Sequence, residues 1–592
     1  MVRGLRQLLA ALCLAGVLSG SDAGLGPSAP ELSHEAVRLA IQREEFEREA
    51  PKTVLQLQMF RSESQVPLAS ETGAMGSATL VNLNPAVSVW YLLTITGAGP
   101  GAVSTSYHLE SIGGRPLQLI EGDANHLRLA GLPMAGCVLW SRGGPNVLAE
   151  AAGSALPYAP LCAGALYLRN RVGGHRSMLE RVTDFLRDHV WEGDEIVTFV
   201  KREFYRDAFA QQGQVAHGCA APAVRGLPRS ADVSGPAQER CTRPSAFGLD
   251  VEAPGESFAP GQWYAVRDVP GAYASLLAPE DVSSGILRRP ERSVNALDGS
   301  ELRALVYLVA FDLQRFTLRF ALGSEHPRVD WSPRPPPSMR DPRLPGPDGI
   351  GTIAPLVGNG LVSPSDIDRT VATFAGGFKR EHGAFRVGAL ALRNHGSHYG
   401  FMQQGVVLSK LQPGLATLLM YTDGHVEMRT WSAAQDASLG LLRDARQNGV
   451  PLLEYDPGRG EGVAGSLVNQ WGPGNWSGSA EEVLRTVRAG VCVQHSPEGD
   501  FLLFGYFSSA TPSAMARVFE AYHCSYAMHL DMNALEHTYF ALYVHRGHQR
   551  ILEHLVEGME QLDEKTAGTL APRFLAFPDN RDFFAVERRE IP

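Results

Sequence analysis

The sequence predicts an α+β protein, with a β-rich N-terminal part followed by a C-terminal α+β domain. Three observations carry that reading. Residues 53–170 are short apolar runs punctuated by Gly, Pro and Asn, such as "SVWYLLTITG". Residues 303–323, "RALVYLVAFDLQRFTLRFALG", give the strongest strand signal, a continuous apolar run that passes into alternation. In the C-terminal third, strand-like runs alternate with short amphipathic helices. The expected division is an export signal at 1–23, a β-rich domain at 24–290 and an α+β domain at 291–592.

The elements follow in order. Arg3 and Arg6 precede the apolar run 8–19, and "SDA" before Gly24 offers small residues for cleavage. Twelve apolar residues are too few to span a bilayer, which needs about 20. "SHEAVRLAIQREEFERE" (33–49) has helical spacing. "SMLERVTDFLRDHVW" (177–191) predicts a helix, with Ser177 and Glu180 as a capping box. Residues 210–260, rich in Gly, Pro, Ala and Ser, predict a long loop held by a disulfide. The run 303–323 predicts a buried strand continuing into a half-buried partner. The span 414–431 predicts a hairpin turning at Asp423-Gly424. Residues 480–487 predict a short helix, 489–494 with 500–507 a second hairpin, and 511–523 a helix with Thr511 at the N-cap and Pro512 at N1. A strand, "SYAMHLD", then ends at Asp531.

The chain has 592 residues and a net charge of −10, with 44% apolar and 20% charged residues. That is the composition of a globular protein, and it lacks the basic face of a nucleic-acid binder. Six cysteines remain beyond Cys13. An even number in an exported chain suggests disulfides, and nearest neighbours give 137–162, 219–241 and 492–524. The expected location is therefore secreted or periplasmic, with no membrane-spanning segment in the mature chain.

The chemistry-bearing residues concentrate in "MHLDMNALEHTYF" (528–540). Asp531 stands at a strand end, where the backbone is fixed and the side chain is accessible. Its carboxylate suits general acid–base work, with Glu536 as a partner. Arg488 offers a planar fork for an anion such as phosphate. The alternative is structural: Asp531 caps a turn and Arg488 pairs with a surface carboxylate. His529 and Asp531 share a strand face and His537 follows, so a metal site is the third possibility. No H-E-x-x-H or C-x-x-C spacing supports it. No motif calls for a cofactor. Gly376-Gly377 in "TFAGGFK" permit close backbone approach to a ligand. "VNQWGPGNWSGS" (468–479) sets Asn469 and Trp471 among glycines, a combination that suits carbohydrate as well as an ordered loop.

These residues, in this order, resemble the phosphodiester glycosidase family over about 303–545. "VYLVAFDLQRFTLRF" is similar to the family's opening strand, and "TFAGGFK" to its N-G-G-F-F motif. "RAGVC" stands for its R-x-x-x-G segment, and "TPSAMARVFEAYHCSYAMHLDMNALE" for the helix and the strand ending in L-D-G-G-G-S. The departures are Ala375 in place of the motif's Asn, and Met532 and Asn533 in place of glycines. The resemblance implies hydrolysis of a sugar 1-phosphodiester or related glycoside, with Arg488, Gly376, Gly377 and Asp531 carried over. It also makes the Pro-rich stretch 332–349 a loop within the domain.

The expected function is a secreted hydrolase of a phosphate-linked or other glycoside. Asp531, Arg488, Glu536 and His537 are its catalytic candidates. Gly376, Gly377, Asn533, Asn469 and Trp471 are its substrate-binding candidates. The expected partner is a glycan or sugar phosphate. The alternatives are an inactive envelope protein that binds glycan or protein, and a metal-dependent hydrolase.

Overall fold

The computed structural model describes residues 53–181, 206–325, 348–379, 399–470 and 483–589, with a few positions between 36 and 44. Short stretches within these spans are excepted: 71–72, 100, 134–136, 178–179, 217–218, 220–227, 236–240, 254, 548 and 567–568. The export signal, most of the 33–49 and 177–191 helices and of the Pro-rich stretch, and Trp471 lie outside the described residues.

The protein is mostly β, with few and short helices among the described residues. The N-terminal part forms a six-stranded sheet from Ser62–Ala69, Met75–Asn82, Trp90–Thr96, Ser104–Ser111, Leu166–Arg169 and Tyr158–Leu161, in that spatial order. Its apolar face, including Leu80, Tyr91, Leu93 and Leu109, packs with a three-stranded sheet into a separate core.

The C-terminal part is built on an eight-stranded antiparallel sheet. Its order is Tyr264–Ala265, Ala272–Leu277, Val306–Asp312, Gly499–Ala510, Thr486–Ser496, Cys524–Met532, Pro451–Asp456 and Glu461–Ala464. The first two strands precede residue 290 in the chain, yet they hydrogen-bond into this sheet. Its central strands are apolar on both faces because both are covered. One face packs on a five-stranded antiparallel sheet of Phe316–Ala321, Phe583–Arg588, Thr370–Ala375, Phe540–Arg546 and Gln549–His554. Phe374, Phe504 and Phe540 meet between the sheets, with Phe504 centroids 5.1 Å from Phe374 and 5.0 Å from Phe540. The opposite face packs on the Pro512–Ala521 helix. Thr511 caps that helix, its hydroxyl accepting from the Ala514 N–H at 3.3 Å, and Pro512 needs no donor at N1.

Both predicted hairpins form. Ala416–Tyr421 pairs with Val426–Thr430, and Thr486–Ser496 with Gly499–Ala510. All three disulfides join nearest neighbours: Cys137–Cys162, Cys219–Cys241 and Cys492–Cys524. Such bonds fit an exported protein. No described helix is long and apolar enough to cross a membrane.

Two local expectations are corrected. The span 303–323 is not a strand and its partner. Val306–Asp312 joins the eight-stranded sheet and Phe316–Ala321 the five-stranded one. Residues 313–315 carry the chain across, so the alternation after Phe316 reflects a second sheet rather than a hairpin. The predicted helix at 480–487 is also absent where described, since Thr486 and Val487 begin the long central strand. Pairing on both sides of that strand overrides local helical spacing.

Candidate active site at the end of the central strand

The candidate site forms where Cys524–Met532 ends. A bulge sets up its geometry. Arg488 pairs with Met532 while Gly490 pairs with His529, so the second strand holds one extra residue. Bulges break the two-residue alternation and re-aim side chains. Met532 consequently shares the helix-side core with Ala527 and Cys524, whereas Met528 and Leu530 face the core between the sheets. Asn448, just past Leu442–Gln447, locks the bulge. Its amide donates to the carbonyl oxygens of His529 and Leu530, and its Oδ1 accepts from the Phe378 N–H at 3.2 Å.

Asp531 is 5% exposed. One carboxylate oxygen accepts from the Met532 N–H at 2.8 Å, and the other from Arg581 Nη1 at 2.9 Å. His537 follows on a short 3-10 turn and folds back, so that Nδ1 donates to the Met532 carbonyl oxygen at 2.6 Å. Its Nε2 lies 2.8 Å from Arg581 Nη2 and 3.2 Å from Glu536 Oε1. With Nδ1 protonated, Nε2 accepts from Arg581. When Nε2 takes a proton, Glu536 is already in place as its acceptor. His537 is the most exposed of the three, 20% on its side chain against 7% for Asp531 and 8% for Glu536. Burial alone would push the Glu536 carboxyl up. With the ring protonated, its hydrogen bond and its charge, together with the charge of Arg581, outweigh burial and hold the carboxyl at about 2.

Arg581 and Lys379 complete the site, together with Glu180. Lys379 ends the Gly-Gly segment and reaches Glu180 Oε1 at 2.7 Å. Arg581 Nη2 reaches the same oxygen at 3.2 Å, and Asn580 Nδ2 donates to it at 3.1 Å. The Ser177 hydroxyl accepts from the Glu180 N–H at 3.0 Å, as an N-cap should. The Glu180 carboxylate, expected to close a capping box, is engaged instead by a cationic pair. Burial opposes charge on Arg581, but the surrounding carboxylates, Glu180 and Asp531 first, raise its pKa above the usual arginine range. Beneath it, Arg446 Nε pairs with Asp582 at 2.6 Å and Arg573 grips Asp579 with two N–H groups, at 2.7 and 3.1 Å.

The remaining sequence candidates lie as follows. Gly376 donates its N–H to the Asp582 carbonyl oxygen at 2.9 Å, and a Cβ there would stand 3.0 Å from that carbonyl carbon. Gly377 has φ +127°, and its Cβ would meet the Asn448 amide at 3.0 Å. The close approach this pair permits is to Asp582 and Asn448. Asn533 has φ +81° and is 5% exposed. Its Oδ1 is buried and makes no hydrogen bond among the described residues. Asn469 donates to the Arg292 carbonyl oxygen at 2.7 Å, which ties it to the 292–295 loop.

Arg488 is fully buried, a correction to its reading as an open anion clamp or a surface ion-pair partner. Its guanidinium donates to the carbonyl oxygens of Ala510 (2.7 Å) and Leu484 (2.9 Å), and contacts the Met532 sulfur and His529 Nε2 at 3.3 Å each. Burial lowers its pKa to about 9 against the opposing pull of Glu301. Burial, and then Arg488, push His529 well below its ordinary value, so the ring is neutral. Among the described residues no three His, Cys, Asp or Glu side chains are placed to share a metal ion.

Sequence reasoning missed Arg581, Lys379 and Glu180. The available signal was "PDNRDFF" (578–584), three charged residues leading directly into an apolar strand, and the lone lysine closing "TFAGGFK". Neither has helix or strand periodicity, so neither stood out. A cleft of about 870 Å³ lies between the 171–176, 322–325 and 351–358 segments, and none of the candidate residues lines it.

No family model matches the chain, and no curated protein matches it. Among solved structures it is similar to the zebrafish N-acetylglucosamine-1-phosphodiester alpha-N-acetylglucosaminidase catalytic domain, auto-inhibited by pro-peptide. That likeness has 11% identity, covers 55% of this chain and 85% of that one, and has a TM-score of 0.28. A hypothetical protein from Synechocystis matches at 11% identity over 90% of this chain and 99% of its own, also with a TM-score of 0.28. At such scores neither likeness carries fold or function across.

Proposed function

We propose that the protein is an exported hydrolase of a phosphate-linked glycoside. The observation that carries this reading is the convergence of Asp531, His537, Glu536 and Arg581 within hydrogen-bond and ion-pair reach at one strand end. Lys379 and Arg581 take the place first assigned to Arg488 as the phosphate-holding cations. In the reaction a water oxygen bonds to the anomeric carbon and the bond from that carbon to the phosphate oxygen breaks. His537 Nε2 gives up its hydrogen bond from Arg581 to accept the water's proton and then donates to Glu536, and Asp531 orients the sugar or serves as the acid–base carboxylate. The products are a free sugar and a phosphomonoester.

A panel of sugar 1-phosphodiesters hydrolysed in ¹⁸O-labelled water tests this. The label is expected in the sugar. Label in the phosphate would make the protein a phosphodiesterase, and no turnover of any member would remove the hydrolase reading.

Asn533 adds a second test. An orphaned buried acceptor costs about 1–3 kcal/mol, and glycine in its place costs about 0.5–1 kcal/mol of chain entropy. Asn533→Gly is therefore expected to stabilise the protein by about 1 kcal/mol in denaturant titrations while raising KM. Loss of stability would mean that Asn533 serves the fold rather than a ligand.

A further inference from the structure

Outside this site, the buried carboxyl of Glu587 has no part in the proposed reaction. Glu587 lies on Phe583–Arg588, opposite Thr317 on one neighbouring strand and Thr370 on the other. It is 1% exposed. Among the described residues it accepts one hydrogen bond, from Arg369 Nη2 at 3.0 Å. Arg319 Nε stands 3.8 Å from its other oxygen, too far for a hydrogen bond. Arg369 Nη2 also reaches Asp366 Oδ1 at 2.7 Å. One guanidinium nitrogen thus serves two carboxylates, and like charges placed so close resist joint ionisation.

The other charged groups facing Glu587 are engaged elsewhere. Arg319 pairs with Asp444 at 3.1 Å and donates to Gln404 Oε1 at 3.0 Å, and Arg443 donates to that same oxygen at 3.0 Å. Glu110, Tyr158 and Arg169 of the N-terminal sheet line, with Glu587 and Asp366, a cavity of about 20 Å³, room for one water. Arg169 donates there to Glu110 and to the Tyr158 hydroxyl. Burial first, and Asp366 next, push the Glu587 carboxyl up to about 7, against the pull of Arg319, Arg369 and Arg443. The 363–366 turn connects the pair to the N-terminal sheet. The Ser363 hydroxyl donates to Glu110 and lies 2.9 Å from that of Ser365, which in turn donates to Asp366 Oδ1 at 3.3 Å.

We propose that Glu587 and Asp366 share a proton, and that the pair is an acid-strengthened clamp between the N-terminal sheet and the C-terminal sheets. On acidification the Glu587 carboxylate takes up one proton from solvent and donates it in a hydrogen bond to an Asp366 oxygen. As pH rises that proton leaves, two anions remain on one guanidinium nitrogen, and the 363–366 turn loosens its hold on Glu110. The sign follows from the raised carboxyl. Its contribution to stability is complete below the ordinary glutamate value of about 4.3 and is lost as pH rises through about 7.

The test is amide hydrogen exchange of the full chain from pH 5 to pH 8, corrected for the intrinsic pH dependence of exchange. Protection of Ser104–Ser111 and Phe583–Arg588 is expected to fall at least tenfold across that range and to level off above about pH 7. Glu587→Gln keeps the shape of the protonated acid and is expected to abolish the fall. Asp366→Asn removes the neighbouring charge and is expected to move the fall to lower pH, so the proposal stays testable if the Glu587 variant does not fold. Protection independent of pH in the wild type, or an unchanged fall in either variant, would overturn it. None of these groups takes part in the Asp531 site, so the outcome is independent of the hydrolase reading.

Discussion

Asp531→Asn is expected to lower kcat/KM on a sugar 1-phosphodiester by about 10²–10⁴-fold, the usual effect of removing a positioned acid–base group. The substitution keeps the shape of the side chain. It preserves one acceptor for Arg581 or the Met532 N–H, which now hold one oxygen each at 2.9 and 2.8 Å. It replaces the other oxygen with a donor that must face a donor. Some stability is lost for that reason, and the fold must be checked by thermal unfolding before rates are compared. The discriminating readout is the split between parameters. Loss confined to kcat marks an interaction made in the transition state, and loss confined to KM marks sugar orientation. A variant with wild-type kcat and KM would remove Asp531 from the chemistry.

Glu180→Gln is expected to cost about 3–5 kcal/mol, because it strips the shared counter-charge from two buried cations. Lys379 is 2% exposed and Arg581 6% on their side chains, so losing the carboxylate leaves both cations short of a counter-charge. If these cations form a phosphate site, inorganic phosphate should restore part of the loss by binding only the folded protein. Sodium chloride at the same ionic strength should not. Denaturant unfolding of the variant with each salt separates the cases. Equal recovery with chloride would reduce the cluster to an ordinary buried ion-pair network. A loss under about 1 kcal/mol would show that solvent reaches the pair.

Local signals in the sequence were reliable where neighbours in the chain are also neighbours in space. Asp423-Gly424 turns a hairpin, Thr511 and Pro512 open a helix, and each cysteine bonds the next one along. Asp531 could be placed at the end of a strand for the same reason. The 480–487 helix failed because its decisive partners, Gly499–Ala510 and Cys524–Met532, lie outside any local window. The role of Arg488 was misjudged because a guanidinium in sequence says nothing about which carbonyl groups will surround it.

By itself, then, the sequence determined the strand-rich character, the hairpins, the disulfide pairing and the concentration of polar groups at 529–537. These depend on propensities and contacts within a few tens of residues. Only the tertiary structure decided what those groups meet. Arg581 reaches Asp531 across 50 residues and Glu180 across 401, and a bulge of one residue sets the face on which each side chain falls. Buried charges find partners wherever packing brings them, because leaving one unpaired is costly, and that constraint has no period in the chain. The candidate site is therefore an outcome of how the sheets stack, in which Arg581 links Asp531 to Glu180, and Glu180 links to Lys379.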